Sequence, residues 1–261
     1  AVAAVALIGL ATPVAQAAGP EIASHRAGYV LSLGPTKSNS QIADLKGGMY
    51  LDWHDTCEGW LIEQRMRFDM VDVDGNSVDS DITFSSWESH DGLSYRFTMR
   101  TLRNGEVSEE LRGRAQLDGK GKGGKAYFSL PENLVLDLAP GTVFPTEHSA
   151  LLIEKALADE RTFSRDVFDG ATADGALDVN AVIGQPLRAE TFSNSKIAKI
   201  ADRVSWRVRL AFFKPGGSQP EYETAIRMVD NGVGIEFLFD YGDFSIRAKL
   251  DNLEELPAPR C

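Results

Sequence analysis

The sequence predicts a mainly β protein: one large, curved antiparallel sheet of about a dozen or more strands with a single internal α-helix. Three observations support this fold class. Apolar and polar residues alternate through five long segments, so one side of each strand faces a core and the other faces water. Tight-turn signals separate these segments. One segment alone has the apolar spacing of a helix.

The alternating segments follow one another as in an antiparallel meander. They cover residues 62–70, 95–99, 204–212, 233–239 and 244–250. Turns are predicted at Asp74-Gly75-Asn76, Asn104-Gly105, the glycine cluster 119–124, Pro215-Gly216-Gly217, Asn231-Gly232 and Tyr241-Gly242-Asp243. Alternation alone does not distinguish a barrel from a sandwich. The many long hairpins and the single helix favour one strongly curved sheet wrapped over that helix.

The helix is predicted near residues 146–159. Thr146 is a suitable N-cap and Glu147 complements the positive helix N-terminus. Leu152 and Leu157 form the apolar stripe that we expect to pack on the sheet. Residues 169–186, rich in Gly, Ala and Asp, are interpreted as a loop that connects two halves of the chain.

Composition limits the classes of function. The chain has 261 residues and a net charge of −11, from 27 Lys and Arg against 38 Asp and Glu. This acidic balance argues against nucleic-acid binding, and equally against an anionic membrane surface, because both need clustered basic residues. The length suits one large domain or two small ones, and large all-β folds often reach this size as one domain, so one domain is expected over residues 18–261.

The first residues predict export. Residues 1–11 form an uncharged apolar run, and Ala15-Gln16-Ala17 matches the small-x-small site of signal peptidase. We interpret residues 1–17 as a signal peptide whose basic first part is missing. A membrane anchor is the alternative, but the run is short and Pro13 interrupts it. The expected mature protein is exported, soluble and not membrane-spanning, and the family resemblance described below implies the periplasm.

Cysteine content agrees with export. Cys57 and Cys261 are the two cysteines of the chain, and lone cysteines in an oxidising compartment usually pair. A redox site or a metal site is the alternative. The sequence has no C-x-x-C pair, and its four His are scattered, which favours a structural disulfide.

Two motifs that suggest ligands have simpler explanations. Gly119-x-Gly121-x-x-Gly124 matches the dinucleotide fingerprint, but a strand follows it instead of the required helix. The acidic cluster from Asp72 to Asp81 lacks the Gly and Glu of a calcium loop, since Ser77 and Thr83 occupy those positions. Both are interpreted as hairpin turns. No cofactor and no metal site is predicted.

No catalytic residues are predicted. His54 lies between Asp52 and Asp55, an arrangement that could orient a general base. A nucleophile would also be needed, and the sequence has no G-x-S-x-G elbow. A site assembled across the fold from His54, His90 or His148 stays open as an alternative.

Strand aromatics allow two interpretations. They can fill a core, or they can line a groove that accepts lipid or an acylated partner. The core interpretation is favoured. The candidate groove-lining residues are Trp206, Phe237 and Phe239.

Three short motifs carry a family resemblance: Trp53-His54-Asp55-Thr56-Cys57-Glu58-Gly59-Trp60, then Phe144-Pro145-Thr146-Glu147-His148, then Val167-Phe168-Asp169-Gly170. A terminal cysteine completes the pattern. Together they resemble the periplasmic EipB-type cell-envelope integrity family of alphaproteobacteria, long described as a domain of unknown function. The resemblance covers essentially the whole mature chain.

The resemblance implies a single β-spiral domain with a helix packed inside, similar in outline to half-barrel lipoprotein carriers. It implies a Cys57–Cys261 disulfide and a role in envelope integrity under stress, without an enzymatic activity. The expected function is therefore non-enzymatic support of the cell envelope through binding of an envelope component. Expected partners are periplasmic proteins, lipoproteins or lipid. The alternatives are a carrier of lipid or lipoprotein acyl chains and an envelope hydrolase.

Overall fold

A computed structural model describes residues 21–188, 192 and 195–261 of the chain. Its described residues form fourteen β-strands and two α-helices. The strands are β1 (His25–Thr36), β2 (Ile42–Asp55), β3 (Gly59–Asp72), β4 (Ser77–Ser89), β5 (Ser94–Arg103), β6 (Glu106–Leu117), β7 (Gly124–Leu130), β8 (Val135–Leu138), β9 (Thr162–Val167), β10 (Leu177–Leu187), β11 (Ser205–Phe213), β12 (Tyr222–Val229), β13 (Gly234–Asp240) and β14 (Phe244–Glu255). The helices are α1 (Pro145–Leu157), between β8 and β9, and α2 (Ser195–Ala201), between β10 and β11.

All fourteen strands belong to one open, curved antiparallel sheet, which confirms the predicted fold class. The order is two meanders, β1–β8 and β9–β14, joined where β1 pairs with β14. This pairing begins at His25 opposite Glu255 and extends to Thr36 opposite Phe244. The first and last strands of the chain therefore meet in the middle of the sheet.

Both helices cover the inner face of the sheet. Ile197, Ile200 and Ala201 of α2 are buried in a core that includes residues from β1, β2, β13 and β14. Leu152 and Ile153 of α1 are buried in a second core with β9–β12. Burial of these apolar side chains holds the curved sheet against its own helices.

A third core consists mainly of aromatic residues that lie between the two halves of the chain. It combines Tyr95, Phe97 and Phe128 with Phe144 and Phe168, from the segments just before α1 and just after β9. Phe144 stacks on Tyr95, with ring centroids 4.9 Å apart, and Phe168 meets Phe97 edge-on at 5.5 Å. These contacts attach both ends of the α1–β9 unit to β5 and β7.

Several details of the predicted helix were wrong. The N-cap of α1 is Phe144, not Thr146, which lies inside the first turn because Pro145 begins the helix. Leu152 is buried as predicted, but Leu157 is 57% exposed, since the buried stripe continues through Ile153 and Ala156. The single-helix expectation also missed α2, whose seven residues provide too short a periodicity to identify.

The predicted connecting loop was partly wrong as well. Residues 170–176 are a turn, but β10 begins at Leu177. Val179, Ala181 and Ile183 alternate with more polar or exposed neighbours and are buried, which is the ordinary pattern of a half-buried strand. The Gly, Ala and Asp content of the preceding turn obscured this alternation.

The two ligand-like motifs are hairpin turns, as predicted. The glycine cluster forms the tip between β6 and β7, where β7 starts at Gly124. Asp72 accepts hydrogen bonds from the backbone amides of Asp74 and Asn76, at 2.9 and 2.8 Å, so its carboxylate orders the β3–β4 turn.

A disulfide joins Cys57, in the β2–β3 turn, to Cys261 at the chain end. Their Cα atoms are 5.6 Å apart, and the bridge spans 204 positions of sequence. It agrees with the pairing that the family resemblance implied. The bridge therefore attaches the segment that follows β14 to the β2–β3 turn.

Replacing both cysteines, Cys57→Ser with Cys261→Ser, is expected to lower the free energy of unfolding by about 2–5 kcal/mol, because the unfolded chain regains the entropy of a long loop. Denaturant unfolding of the oxidised protein measures the effect. Wild-type protein treated with reductant is the control and should match the variant. An unchanged midpoint in the variant would contradict a stabilising role for the bridge.

Candidate functional site

The most distinctive sequence motif folds into a tight turn between β2 and β3. Thr56 Oγ1 donates to the carbonyl oxygen of Gly59 at 2.6 Å and accepts from its amide at 3.1 Å. A side chain at position 59 would overlap the Glu88 carbonyl group, so glycine is needed for the close approach of β3 to β4. Thr56 and Gly59 therefore hold Cys57 where the chain end can reach it.

The two tryptophans of this motif belong to a line of aromatic rings. Trp53 meets His25 at a centroid distance of 6.1 Å and Trp60 at 6.5 Å, and Trp60 meets His90 at 6.1 Å. His25 is fully buried, and burial lowers its pKa. The line packs the ends of β1, β2 and β3 against the β4–β5 turn.

Two histidine–aspartate pairs flank these rings. His54 Nδ1 lies 2.6 Å from Asp52 Oδ1, and His90 Nε2 lies 2.6 Å from Asp55 Oδ1. The sequence placed His54 between both carboxylates, but side chains alternate along β2, so His54 shares a face with Asp52 alone. The partner of Asp55 is His90, which is distant in sequence and gave no pattern to find.

Two basic side chains, Arg26 and His54, contact the Asp52 carboxylate. Arg26 Nε donates to Asp52 Oδ2 at 2.6 Å, beside the contact with His54. Burial alone would raise the pKa of Asp52, but the hydrogen bonds from Arg26 and His54 outweigh burial and hold the pKa below its ordinary value. Asp52 is thus a charged anchor between β1 and β2.

These pairs lack the third member of a nucleophilic triad. Within the part of the chain that the structure describes, no hydroxyl or thiol hydrogen-bonds to His54 or His90, and both cysteines are in the disulfide. His148, the other candidate, is buried and stacks on Phe163 at 5.8 Å. Burial lowers the pKa of His148 to about 4, so its ring is neutral.

A cleft of about 480 Å³ lies next to the disulfide corner. The chain segment before β1, the end of α2 and the tail after β14 surround it, with Asp55 and Trp60 on one wall. Its basic residues already have partners: Arg203 Nε lies 2.6 Å from Asp230, and Lys199 pairs with Glu255. The cleft is mixed in charge and has no concentrated group of one sign.

Glu88 attaches α1 to the first meander. Its carboxylate accepts hydrogen bonds from the amides of Thr146 at 2.7 Å and Glu147 at 2.9 Å, two of the amides that a helix N-terminus leaves unpaired. Phe144 provides no side-chain cap, so Glu88 does so from β4. Burial raises the pKa of Glu88 to about 7.

The Phe168-Asp169-Gly170 motif closes the same junction. Phe168 is fully buried in the aromatic core, and the Asp169 carbonyl oxygen accepts a hydrogen bond from the Tyr95 hydroxyl at 2.9 Å. Gly170 has a φ of +70°, and a Cβ there would overlap the ring of Phe97. Only glycine combines this backbone conformation with this contact.

The candidate groove residues occupy different environments. Trp206 is buried in the core formed by α1 and β9–β12. Phe237 and Phe239 are half-buried on β13 and stack at 5.7 Å, and Phe237 also meets Tyr29 at 5.4 Å. Their assignment to a groove stays a prediction.

Fold and site together define a class: an open-sheet protein whose inner face is covered by its own helices, with a disulfide at a corner of histidine–aspartate pairs. The EipB-like family pattern matches residues 16–257, so the chain belongs to the EipB-like family. The cell envelope integrity protein EipB of Brucella abortus is 32% identical over 254 residues, covering 94% of this chain and 89% of that protein.

A solved structure agrees. The crystal structure of a β-barrel-like protein of a domain of unknown function from Brucella abortus superposes with a TM-score of 0.83 at 30% identity. The alignment covers 91% of this chain and 99% of that one. The resemblance identified from the three motifs and the terminal cysteine is confirmed.

We expect Glu88 to make stability depend on pH. Folding raises the pKa of Glu88 from the ordinary 4.5 to about 7, so the folded state binds the Glu88 proton more tightly than the unfolded chain does. The resulting gain in folding stability is complete below pH 4.5 and is lost as pH rises through 7. The stability of wild type relative to Glu88→Gln, from denaturant unfolding at several pH values, should fall across this window. Exposed Glu106 provides the control variant, Glu106→Gln, whose curve should follow wild type. Parallel curves for Glu88→Gln and wild type would contradict the assignment.

Proposed function

We propose that this chain is a periplasmic, non-enzymatic protein that supports the integrity of the cell envelope by binding an envelope component on its outer surface. The observation that carries the proposal is the covered inner face. Side chains of both helices, together with Phe144 and Phe168, are buried in the three apolar cores on this side of the sheet. The outer surface is then the main area available to a partner.

Membership of the EipB-like family supports the envelope role, since its Brucella relative is named a cell envelope integrity protein. The disulfide is consistent with an oxidising compartment. The predicted signal peptide lies outside the described residues. Among the described helices, none has the length and apolar character needed to cross a bilayer.

A non-enzymatic role is supported by the chemistry of the histidines. His54 and His90 each have a carboxylate partner, but neither has a hydroxyl or thiol partner among the described residues. Asp52 and Asp55 also serve to connect neighbouring strands and turns. A hydrolase of the triad type would need a side-chain nucleophile brought to these rings by a conformational change.

The carrier of acyl chains is the second candidate, because Phe237 and Phe239 are half-buried beside the α2 core. An acyl chain on the inner face would have to displace apolar side chains of that core. Displacing a large, well-packed side chain should cost several kcal/mol, about as much as truncating such a side chain in a protein core. This cost favours the outer-surface proposal.

Native mass spectrometry of the protein from oxidised periplasm, with organic extraction, distinguishes the two candidates. We expect a ligand-free mass that is lower than the reduced chain by the two thiol hydrogens. An acyl species bound at near-stoichiometric level would overturn the outer-surface proposal and support the carrier.

The envelope role has its own test in a deletion strain exposed to detergent. The protein with a complete signal peptide should restore growth, and a version lacking residues 1–17 should not; failure of the protein with the signal peptide would contradict that role.

A further inference from the structure

The outer face of the first meander has a row of directly opposite residues, one on each strand from β3 to β8. The strand register places them side by side in the order Leu61, Trp87, Arg96, Arg114, Tyr127 and Val135. Their strand neighbours Tyr95, Phe97, Ala115, Ala126 and Phe128 point inward into the aromatic core. We name this set the outer row.

Two arginines occupy the centre of the outer row. Arg96 and Arg114 are directly opposite each other on β5 and β6, and both are exposed. The Arg96 guanidinium lies 4.9 Å from the ring centre of Trp87, and the Arg114 guanidinium lies 5.0 Å from that of Tyr127. The flanking aromatic rings therefore hold both guanidinium groups over the sheet.

Neither central arginine has a carboxylate partner within the described part of the chain. Other arginines on the same face are paired: Arg65 donates to Asp81 at 2.6 Å, and Arg67 lies 3.2 Å from Asp79. Like charges opposite each other on antiparallel strands are destabilising. No carboxylate offsets this repulsion at Arg96 and Arg114, whose stabilising contacts are with the rings of Trp87 and Tyr127.

The two arginines border an open groove of about 500 Å³. Arg112, which lies 3.7 Å from Glu110, also borders the groove, and Ser85, Thr98 and Ser129 add hydroxyl groups. No Asp or Glu is among the lining residues. This is a local excess of positive charge on a chain whose net charge is −11. The net charge of the whole chain argues against binding to an anionic membrane surface, but it does not describe the local charge of this groove.

The donors fit a phosphate group. A guanidinium presents a planar fork of N–H donors that matches two phosphate oxygens, so Arg96 and Arg114 can each bind a phosphate group. The groove is shallow and lies on the outer face, so it suits a group presented on a surface. Trp and Tyr beside the arginines are the aromatic residues that prefer the interface of a membrane with water.

We propose that Arg96 and Arg114 bind the phosphate headgroups of an anionic lipid surface. The inference rests on the proposed function, since it names the envelope component that the outer surface recognises. It requires no movement of the inner face. The charges act over a short range, so binding should weaken as salt screens them.

Vesicle co-sedimentation of the oxidised protein tests the proposal. The probes are vesicles of phosphatidylcholine alone and of phosphatidylcholine with about one third phosphatidylglycerol. The test variant is Arg96→Gln with Arg114→Gln. The matched control is Arg65→Gln with Arg67→Gln, which removes the same charge from arginines that Asp81 and Asp79 already neutralise. Thermal melting verifies that both variants fold.

We expect wild type to bind the anionic vesicles and not the neutral ones. The test variant should bind about 30-fold more weakly, from the usual contribution of two basic residues near an anionic surface, and the control should stay within about twofold of wild type. Equal loss in both variants, or no preference for anionic vesicles, would overturn the proposal. Binding to a poly-glutamate peptide or to inorganic phosphate, without vesicle binding, would also overturn it and would indicate an acidic protein or a free phosphate.

The deletion strain separates this inference from the proposed function. If wild type restores detergent resistance but does not bind anionic vesicles, the lipid assignment is overturned while the envelope role stands. In a second outcome, the test variant loses vesicle binding and fails to restore resistance, while the control variant binds vesicles and restores resistance. That outcome would identify the outer row as the lipid-binding surface used in the envelope.

Discussion

The antiparallel pairing of β1 with β14 is the contact on which the rest of the structure depends. Each meander can form from local hairpins, but only this pairing joins the two into one sheet. It also brings together residues from opposite ends of the chain, so its formation costs the entropy of closing a very long loop. The Cys57–Cys261 bridge lowers that cost by restricting the unfolded chain. The disulfide and the β1–β14 pairing therefore both depend on bringing the two ends of the chain together.

Joining the meanders creates an inner face that must be covered, and the chain covers it with segments between its own strands. The α1–β9 unit enters the first half through Phe144 and Phe168, and Glu88 caps its helix from β4. The helix α2 covers the region of the β1–β14 pair. With the inner face covered in this way, the proposed recognition uses the outer face, where aromatic residues and the two arginines without carboxylate partners are accessible. The proposed binding surface thus depends on the same packing.

The sequence predicted the local features well. Period-two alternation, hairpin turns and the helix predicted near residues 146–159 all depend on neighbours within a few residues, and all are present, the helix over Pro145–Leu157. The pairing of His90 with Asp55 and the capping of α1 by Glu88 could not be predicted, because each joins residues far apart in sequence. The same holds for Arg96 opposite Arg114, which needs the register of β5 with β6. The helix α2 and the start of β10 were missed because a short element gives little periodicity and a glycine-rich turn obscured the adjoining strand.

Native-state hydrogen exchange of the oxidised protein under increasing denaturant tests the central claim most directly, namely that the β1–β14 pair makes both meanders one cooperative unit. The account predicts that buried amides of β3–β5 and of β10–β12 converge on a single free energy of opening. Two separate values, one for each meander, would show that the halves open independently and would contradict the central role of the pair.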